Sequence, residues 1–372
     1  MAISQFPPAE TGSGAGLQAY KGNPGTNSVN IPAGVYLVLN AQVEAFPITI
    51  GNTEIASDTT LIVLESEATS LDFIEYIVFT EQTVPNFTSS LRCATFGDGL
   101  YVVASSGYLA TSTDGTTWTE RTVPNFTSTL RCATFGDGLY VVAGDSGYVA
   151  TSTDGTTWTE RTVPNFTSFL FSATFGDGLY VVAGDSGYLA TSPDGTTWTE
   201  RTVPNAGRLR GAAYGDGLYV VAGDSGYLAT SPDGTTWTER TVPNFTNTLR
   251  CATFGDGLYV VAGDNGYLAT STDGVTWTER TVPNFTNTLR CATFGDGLYV
   301  VAGNNGYLAT SPDGTTWTER TVPNFSSTLW AATFGDGVYV VAGSDGYVAT
   351  FPGLATSPQY LILEPTELID LT

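Results

Sequence analysis

A unit of about forty residues recurs seven times between residue 83 and residue 350, and nothing else in the chain limits the fold as strongly. Its tetrapeptide Thr-Val-Pro-Asn begins at Thr83, Thr122, Thr162, Thr202, Thr241, Thr281 and Thr321, a spacing of 39, 40, 40, 39, 40 and 40 residues. One complete unit, residues 122–161, reads TVPNFTSTLRCATFGDGLYVVAGDSGYVATSTDGTTWTER. Near-identical units of this length are the mark of a repeat architecture.

Four stretches of that unit read as strands: residues 130–135, 139–144, 147–152 and 156–163. The second, Leu-Tyr-Val-Val-Ala-Gly, is nearly all apolar, as a strand covered on both faces should be. Turns fall at residues 136–138, 145–147 and 154–155, where Asp-Gly and Asp-Ser-Gly supply the residues that tolerate tight reversals. Four antiparallel strands repeated seven times describe an all-β, seven-bladed β-propeller. Six units carry a tryptophan on the fourth strand, at Trp118, Trp158, Trp198, Trp237, Trp277 and Trp317. The seventh unit loses the pattern after residue 350, whereas IVFTEQTVPN, ahead of the first unit, aligns with TTWTERTVPN. Phe79 then occupies the tryptophan position 39 residues before Trp118, and residues 77–83 are expected to supply the outer strand of blade seven. A ring closed by both ends of the chain leaves no exposed sheet edge.

The propeller is thus expected over residues 77–353. Residues 1–20, rich in Pro, Gly and Ser, read as an extended arm. Residues 21–76 read as a small β domain with strands at 34–40, 47–51 and 59–65 and one helical turn at 66–73. The tail, residues 354–372, has strand character at 359–364 and is expected to return to that domain.

Formal net charge is −23, with one lysine (Lys21) and twelve arginines, so nucleic acid and anionic membranes are poor partners. No apolar run has the length of a membrane span, and the first residues lack a signal-peptide pattern, so no membrane insertion and no leader are expected. Histidine is absent, which removes the commonest metal ligand and the usual general base. Cys93, Cys132, Cys251 and Cys291 share one repeat position with Ser172, Gly211 and Ala331, which makes it a slot for small side chains. No metal and no cofactor is expected.

The segment Ser152-Thr153-Asp154-Gly155-Thr156-Thr157-Trp158 resembles the Asp-box, or BNR repeat, of sialidases and related propellers, and similar stretches begin at Ser112, Ser192, Ser231, Ser271 and Ser311. The resemblance covers about 270 residues and departs from the family pattern by one position missing between Asp and Gly. In that family the motif lies between the third and fourth strands and is structural. It implies a turn-organising role for Asp114, Asp154, Asp194, Asp233, Asp273 and Asp313, and a packing role for the six tryptophans. Sialidase activity, as the family implies it, needs an asymmetric set of arginines, a tyrosine–glutamate pair and an acid. Here the arginines are themselves repeated, at 92, 131, 210, 250 and 290 and again at 121, 161, 201, 240, 280 and 320, with Arg208 alone outside the pattern. The chain is therefore expected to be no enzyme, with an Asp-box glycoside hydrolase as the weakest alternative.

Repetition suits multivalent binding. The loops joining blades and those between second and third strands share one propeller face. The candidate ligand-binding residues on it are Asn125, Phe126, Thr127, Asn165, Phe166, Asn244, Phe245, Asn284 and Phe285, with Asp145, Asp185 and the unit-specific Trp330. The competing reading makes these ordinary turns, with the phenylalanines packed between blades. A polar arm, a small β attachment domain and a repeat-built head look like a bacteriophage virion protein, such as a tail fibre. That likeness implies an adhesin carried on the virion through its N-terminal domain. It would meet a host surface glycan or protein, with a homo-oligomer among the arrangements such a particle allows. The alternative is a purely structural virion decoration or a protein-binding assembly scaffold.

Overall fold

A computed structural model of the chain describes residues 79–353, apart from 85, 86, 88, 126, 127 and 323, and the backbone of short strands on either side of that span. The chain divides into two units, residues 1–77 with 356–372, and residues 78–355.

The smaller unit holds two four-stranded antiparallel sheets. One is ordered Gln18–Lys21, Gln359–Leu363, Tyr36–Leu39, Leu61–Val63, and the other Ser28–Ile31, Thr69–Asp72, Ile48–Ile50, Thr53–Ile55. The tail strand lies between two strands from the start of the chain, with Tyr20 opposite Tyr360 and Tyr36 opposite Leu363. Two expectations need correction. Gln18–Lys21 is a paired strand, so the sheet begins inside the stretch read as an arm. Residues 69–72 form a strand between Ser28–Ile31 and Ile48–Ile50, where the sequence suggested a helical turn. Four residues are too few for local propensity to outweigh pairing on both sides.

The larger unit is a seven-bladed propeller of four-stranded antiparallel sheets. In the second blade the strands are Leu130–Gly136, Leu139–Gly144, Tyr148–Ser152 and Thr159–Thr162, from the innermost outward. The first two meet at Asp137-Gly138, both at positive φ, the geometry of the tight hairpin turn that Asp-Gly favours. Tyr140, Val141, Val142 and Ala143 are buried, since this strand is covered by a blade on each side. The fourth strand starts after Trp158 rather than before it, because the turn ahead of the tryptophan is held by side-chain hydrogen bonds and does not enter the ladder.

One contact joins each blade to the one before it. Tyr140 Oη donates to the carbonyl of Gly97, and the Phe135 ring lies where a Cβ on Gly97 would be, 2.0 Å from such an atom. The same pair recurs as Tyr180 and Phe175 on Gly136, Tyr219 and Tyr214 on Gly176, Tyr259 and Phe254 on Gly215, Tyr299 and Phe294 on Gly255, and Tyr339 and Phe334 on Gly295. Tyr101 and Phe96 then close on Gly335, so blade one grips blade seven as every blade grips its predecessor. Only glycine leaves room for the ring at that position.

Blade seven takes its outer strand from the other end of the chain: Thr80–Gln82 pairs with Val348–Pro352, Glu81 opposite Ala349. Phe79 is buried against Phe351 at 4.7 Å between centroids, and Phe351 stacks on Tyr339 at 4.7 Å. Phe351 stands where the other units have a serine, and its ring fills the space between Tyr339 and the smaller ring that replaces tryptophan.

Two substitutions test the interlock. Phe79→Ala should cost about 3 kcal/mol in denaturant unfolding, and Gly255→Ala about 1–3 kcal/mol by forcing its methyl into Phe294. Val275→Thr, at an exposed position where the other units carry threonine, should stay within about 0.5 kcal/mol of the parent. A Phe79→Ala protein as stable as the parent would contradict closure through this strand.

Candidate functional site: the arginine-lined channel mouth

Along each innermost strand alternate residues face the axis, and in blades two to seven the pairing is interrupted at one place. In blade two the register shifts between Leu130 and Cys132, so Arg131 is the extra residue of a β-bulge; the same shift recurs at Phe171, Arg210, Arg250, Arg290 and Trp330. A bulge re-aims the side chain it carries. Together with Arg92 these residues ring the mouth of a central cavity of about 320 Å³, above a tier of Ala94, Ala133, Ala173, Ala212, Ala252, Ala292 and Ala332. The four cysteines sit behind it, buried, with Cys93 and Cys251 thiols pushed up to about 12 by burial, as suits small packing groups.

Most rim arginines are neutralised within their own blade. Arg131 Nε meets Asp145, Arg210 Nε meets Asp224 Oδ1 at 2.5 Å, and Arg250 meets Asp264 through two nitrogens at 2.8 and 3.2 Å. Blade three has Phe171 at the rim, and its Asp185 is met instead by Arg208, 2.6 Å away from the following loop. The rest of the ring differs. Arg290 reaches Asn304 Oδ1 at 3.0 Å, a neutral partner, and Trp330 donates to Ser344 Oγ at 3.1 Å. Blade one lacks the acidic position altogether, its turn reading Ser105-Ser106-Gly107. Arg92 and Arg290, from the two blades flanking blade seven, both lie over the Trp330 ring, 4.2 and 4.7 Å from its centroid. Burial, then the charge of Arg250, pulls the Arg290 guanidinium down to about 10, still protonated at neutral pH.

The residues picked from sequence as a repeated ligand face are mostly engaged within the propeller. Asn125, Asn165 and Asn284 donate to Glu160, Glu200 and Glu319 at 2.9, 3.3 and 3.0 Å. With Asn244 they take left-handed backbone angles that asparagine tolerates. The Phe166, Phe245 and Phe285 rings stack on Tyr188, Tyr267 and Tyr307 at 4.0 Å, which is the packing alternative rather than a free aromatic face. Phe126 and Thr127 lie outside the described residues. Asp145 and Asp185 hold arginines, and Trp330 is at the centre of the unneutralised sector. The rim arginines were visible in the sequence as a repeated position. The signal that singles out two of them is the loss of aspartate from units one, six and seven while Arg92 and Arg290 persist.

The Asp-Gly turns between third and fourth strands are built alike in six blades. Asp114 Oδ1 accepts from the Thr116 and Thr117 amides at 2.8 and 2.7 Å and from Ser112 Oγ at 2.9 Å, while Trp118 Nε1 donates to the Gly115 carbonyl at 3.1 Å. Asp154, Asp194, Asp233, Asp273 and Asp313 repeat this, and Trp158, Trp198, Trp237, Trp277 and Trp317 are likewise buried. These carboxylates organise turns. Among the described residues no cluster of three metal-ligating side chains occurs, and no helix is long and apolar enough to cross a membrane.

The profile of the DUF6242 β-propeller domain matches in overlapping segments, residues 55–168, 80–207, 162–245, 205–327 and 247–361. The chain belongs to this family. No curated protein shows significant sequence similarity to it. Among solved structures, this DUF6242 propeller is similar to YCF48 bound to D1 peptide, at 18% identity and a TM-score of 0.62, over 75% of this chain and 98% of that one. It is also similar to YCF48 from Cyanidioschyzon merolae, at 17% identity and a TM-score of 0.61, over 74% and 98% of the two chains. Virginiamycin B lyase from Staphylococcus aureus aligns at 14% identity and a TM-score of 0.68, over 74% and 99%. At these identities the likeness is one of fold. The neighbours include a lyase and a protein caught with a peptide, so the DUF6242 fold is shared by chains of different activity.

The turn carboxylates give a pH dependence. Hydrogen bonds from Thr276 and Val275 amides hold Asp273 down at about 2, and the Thr117 and Thr116 amides hold Asp114 below its ordinary range. A folded-state value below the unfolded value of about 3.9 adds stability above that value and loses it as pH falls through the folded one. Stability should therefore hold from pH 7 to 5 and decline from about pH 4 to 2. An Asp273→Asn variant should lose less than the parent across that window in denaturant titrations, and an equal loss would contradict the assignment.

Proposed function

We propose that this chain is a non-enzymatic recognition propeller whose binding chemistry lies at the arginine and aromatic rim of its central channel. The observation that carries the reading is how the polar groups are used. Six Asp-Gly turns and three of the loop asparagines described above are engaged in holding the blades, whereas Arg92 and the bulged residues Arg131, Phe171, Arg210, Arg250, Arg290 and Trp330 converge on one open cavity. Arginine and tryptophan are the residue types that contribute most at recognition surfaces. The peptide bound to the structural neighbour YCF48 is consistent with a protein ligand.

The setting that fits this reading best is a virion. Two sheets built from both chain ends would anchor the chain to neighbouring virion proteins, and the propeller would act as a tail-fibre or host-recognition head. An assembly scaffold would use the same rim for a protein of the particle instead.

Binding of the full-length chain to immobilised peptides and glycans tests the recognition reading. Saturable binding that weakens as salt rises is expected, since half-exposed guanidiniums are screened. Absence of binding to either class, or turnover of a bound glycan, would contradict it.

A further inference from the structure

The seven repeats are nearly identical, so a place where charge is compensated in some blades and not in others is informative. In blades two to five the mouth has four arginines, Arg131, Arg208, Arg210 and Arg250, set against four aspartates, Asp145, Asp185, Asp224 and Asp264. In blades six, seven and one it has two arginines, and the aspartate position is Asn304, Ser344 or deleted. Among the described residues neither Arg92 nor Arg290 makes an ion pair. Asp345, the acidic residue in the blade-seven turn, sits one position further on at a left-handed φ of 58° and pairs with neither. Two half-buried cations without an ion-pair partner are costly in isolation, and a chain of net charge −23 offers many carboxylates that could have been placed within reach.

We propose that Arg92 and Arg290, each stacked on Trp330 and left without an ion-pair partner by the loss of aspartate from three consecutive blades, form a site for the carboxylates of an acidic peptide. Each guanidinium presents N–H donors in a planar fork that matches a carboxylate. Trp330 orients both by stacking and is itself anchored through its indole N–H to Ser344. The indole ring is already occupied by two guanidiniums, which leaves no free aromatic face for a sugar ring and favours a peptide over an acidic glycan. The alanine tier beneath leaves the cavity open to an extended side chain or chain end. This site deepens the recognition reading by naming which sector of the rim binds and what chemistry it takes.

The test uses calorimetric titration of the full-length chain with an N-acetylated, C-amidated tetraglutamate peptide, its tetraglutamine counterpart, and a neutral Gly-Ser peptide with a free C-terminus. Tetraglutamate should bind at least about tenfold more tightly than tetraglutamine. Comparable binding of the neutral peptide would identify the terminal carboxylate as the group bound, and its absence would identify side-chain carboxylates. Asn304→Asp restores the repeat's own residue, removes no arginine, and should weaken tetraglutamate binding by about tenfold or more. The Arg92→Gln, Arg290→Gln double variant should abolish it, while Arg280→Gln, on an outer strand away from the channel, should leave it unchanged. Tetraglutamate binding that survives Asn304→Asp would overturn this site while leaving the recognition reading standing. Tighter binding of an oligoglucuronate than of tetraglutamate would overturn the choice of a peptide.

Discussion

The propeller depends on a single interblade contact made seven times. A tyrosine from the second strand of one blade donates to the carbonyl of a glycine on the innermost strand of the blade before it, and an aromatic ring next to that tyrosine covers the glycine's missing side chain. The contact joins hydrogen bonding and close packing at one residue, so neither partner can change without the other. It is directional, each blade gripping its predecessor, and it closes only when Tyr101 and Phe96 reach Gly335. The outer strand Thr80–Gln82 then completes the sheet on which the last grip depends. Closure is therefore a property of the ring, and the ends of the propeller stabilise each other through it.

Because that scaffold is so uniform, variation stands out at the axis. The bulge in the innermost strands of blades two to seven aims one residue at the channel mouth, and the scaffold tolerates Arg, Phe or Trp there without altering the blade. Rim chemistry is thus separable from the fold. The aspartate that neutralises the arginine is equally separable, since Asn304 and Ser344 occupy the same turn, each followed by a residue in the left-handed conformation, Asn305 and Asp345. A repeat array can in this way keep seven identical supports while concentrating positive charge in one sector.

The propeller was legible in the sequence because its determinants are local: Asp-Gly at turns, an apolar second strand, and a period of forty. Ring closure was legible from Phe79, whose spacing to Trp118 matches the repeat. The smaller unit was less so, since strands of three or four residues such as Thr69–Asp72 are defined by their partners rather than by their own pattern. What the loop residues do was not legible, for a physical reason. Asparagine and phenylalanine in a turn look the same in sequence whether they face solvent or brace a neighbouring blade, and here Asn165 holds Glu200 while Phe166 covers Tyr188. The rim arginines were visible as a repeated position, but where they point was not, because a bulge, which no residue pattern announces, decides it.

The central claim is that all seven blades, the one assembled from both chain ends included, are held by the same grip. Hydrogen exchange on the intact protein tests this most directly, read at the second strands Leu100–Ser105 of blade one and Val338–Gly343 of blade seven, whose sequences distinguish them from the other blades. Equal protection at the two strands, matching that of the remaining blades, with all lost together in one global opening, is the predicted result. Exchange of Val338–Gly343 through a separate, lower-energy opening would mean that blade seven is a loose end and that the ring is not closed as described.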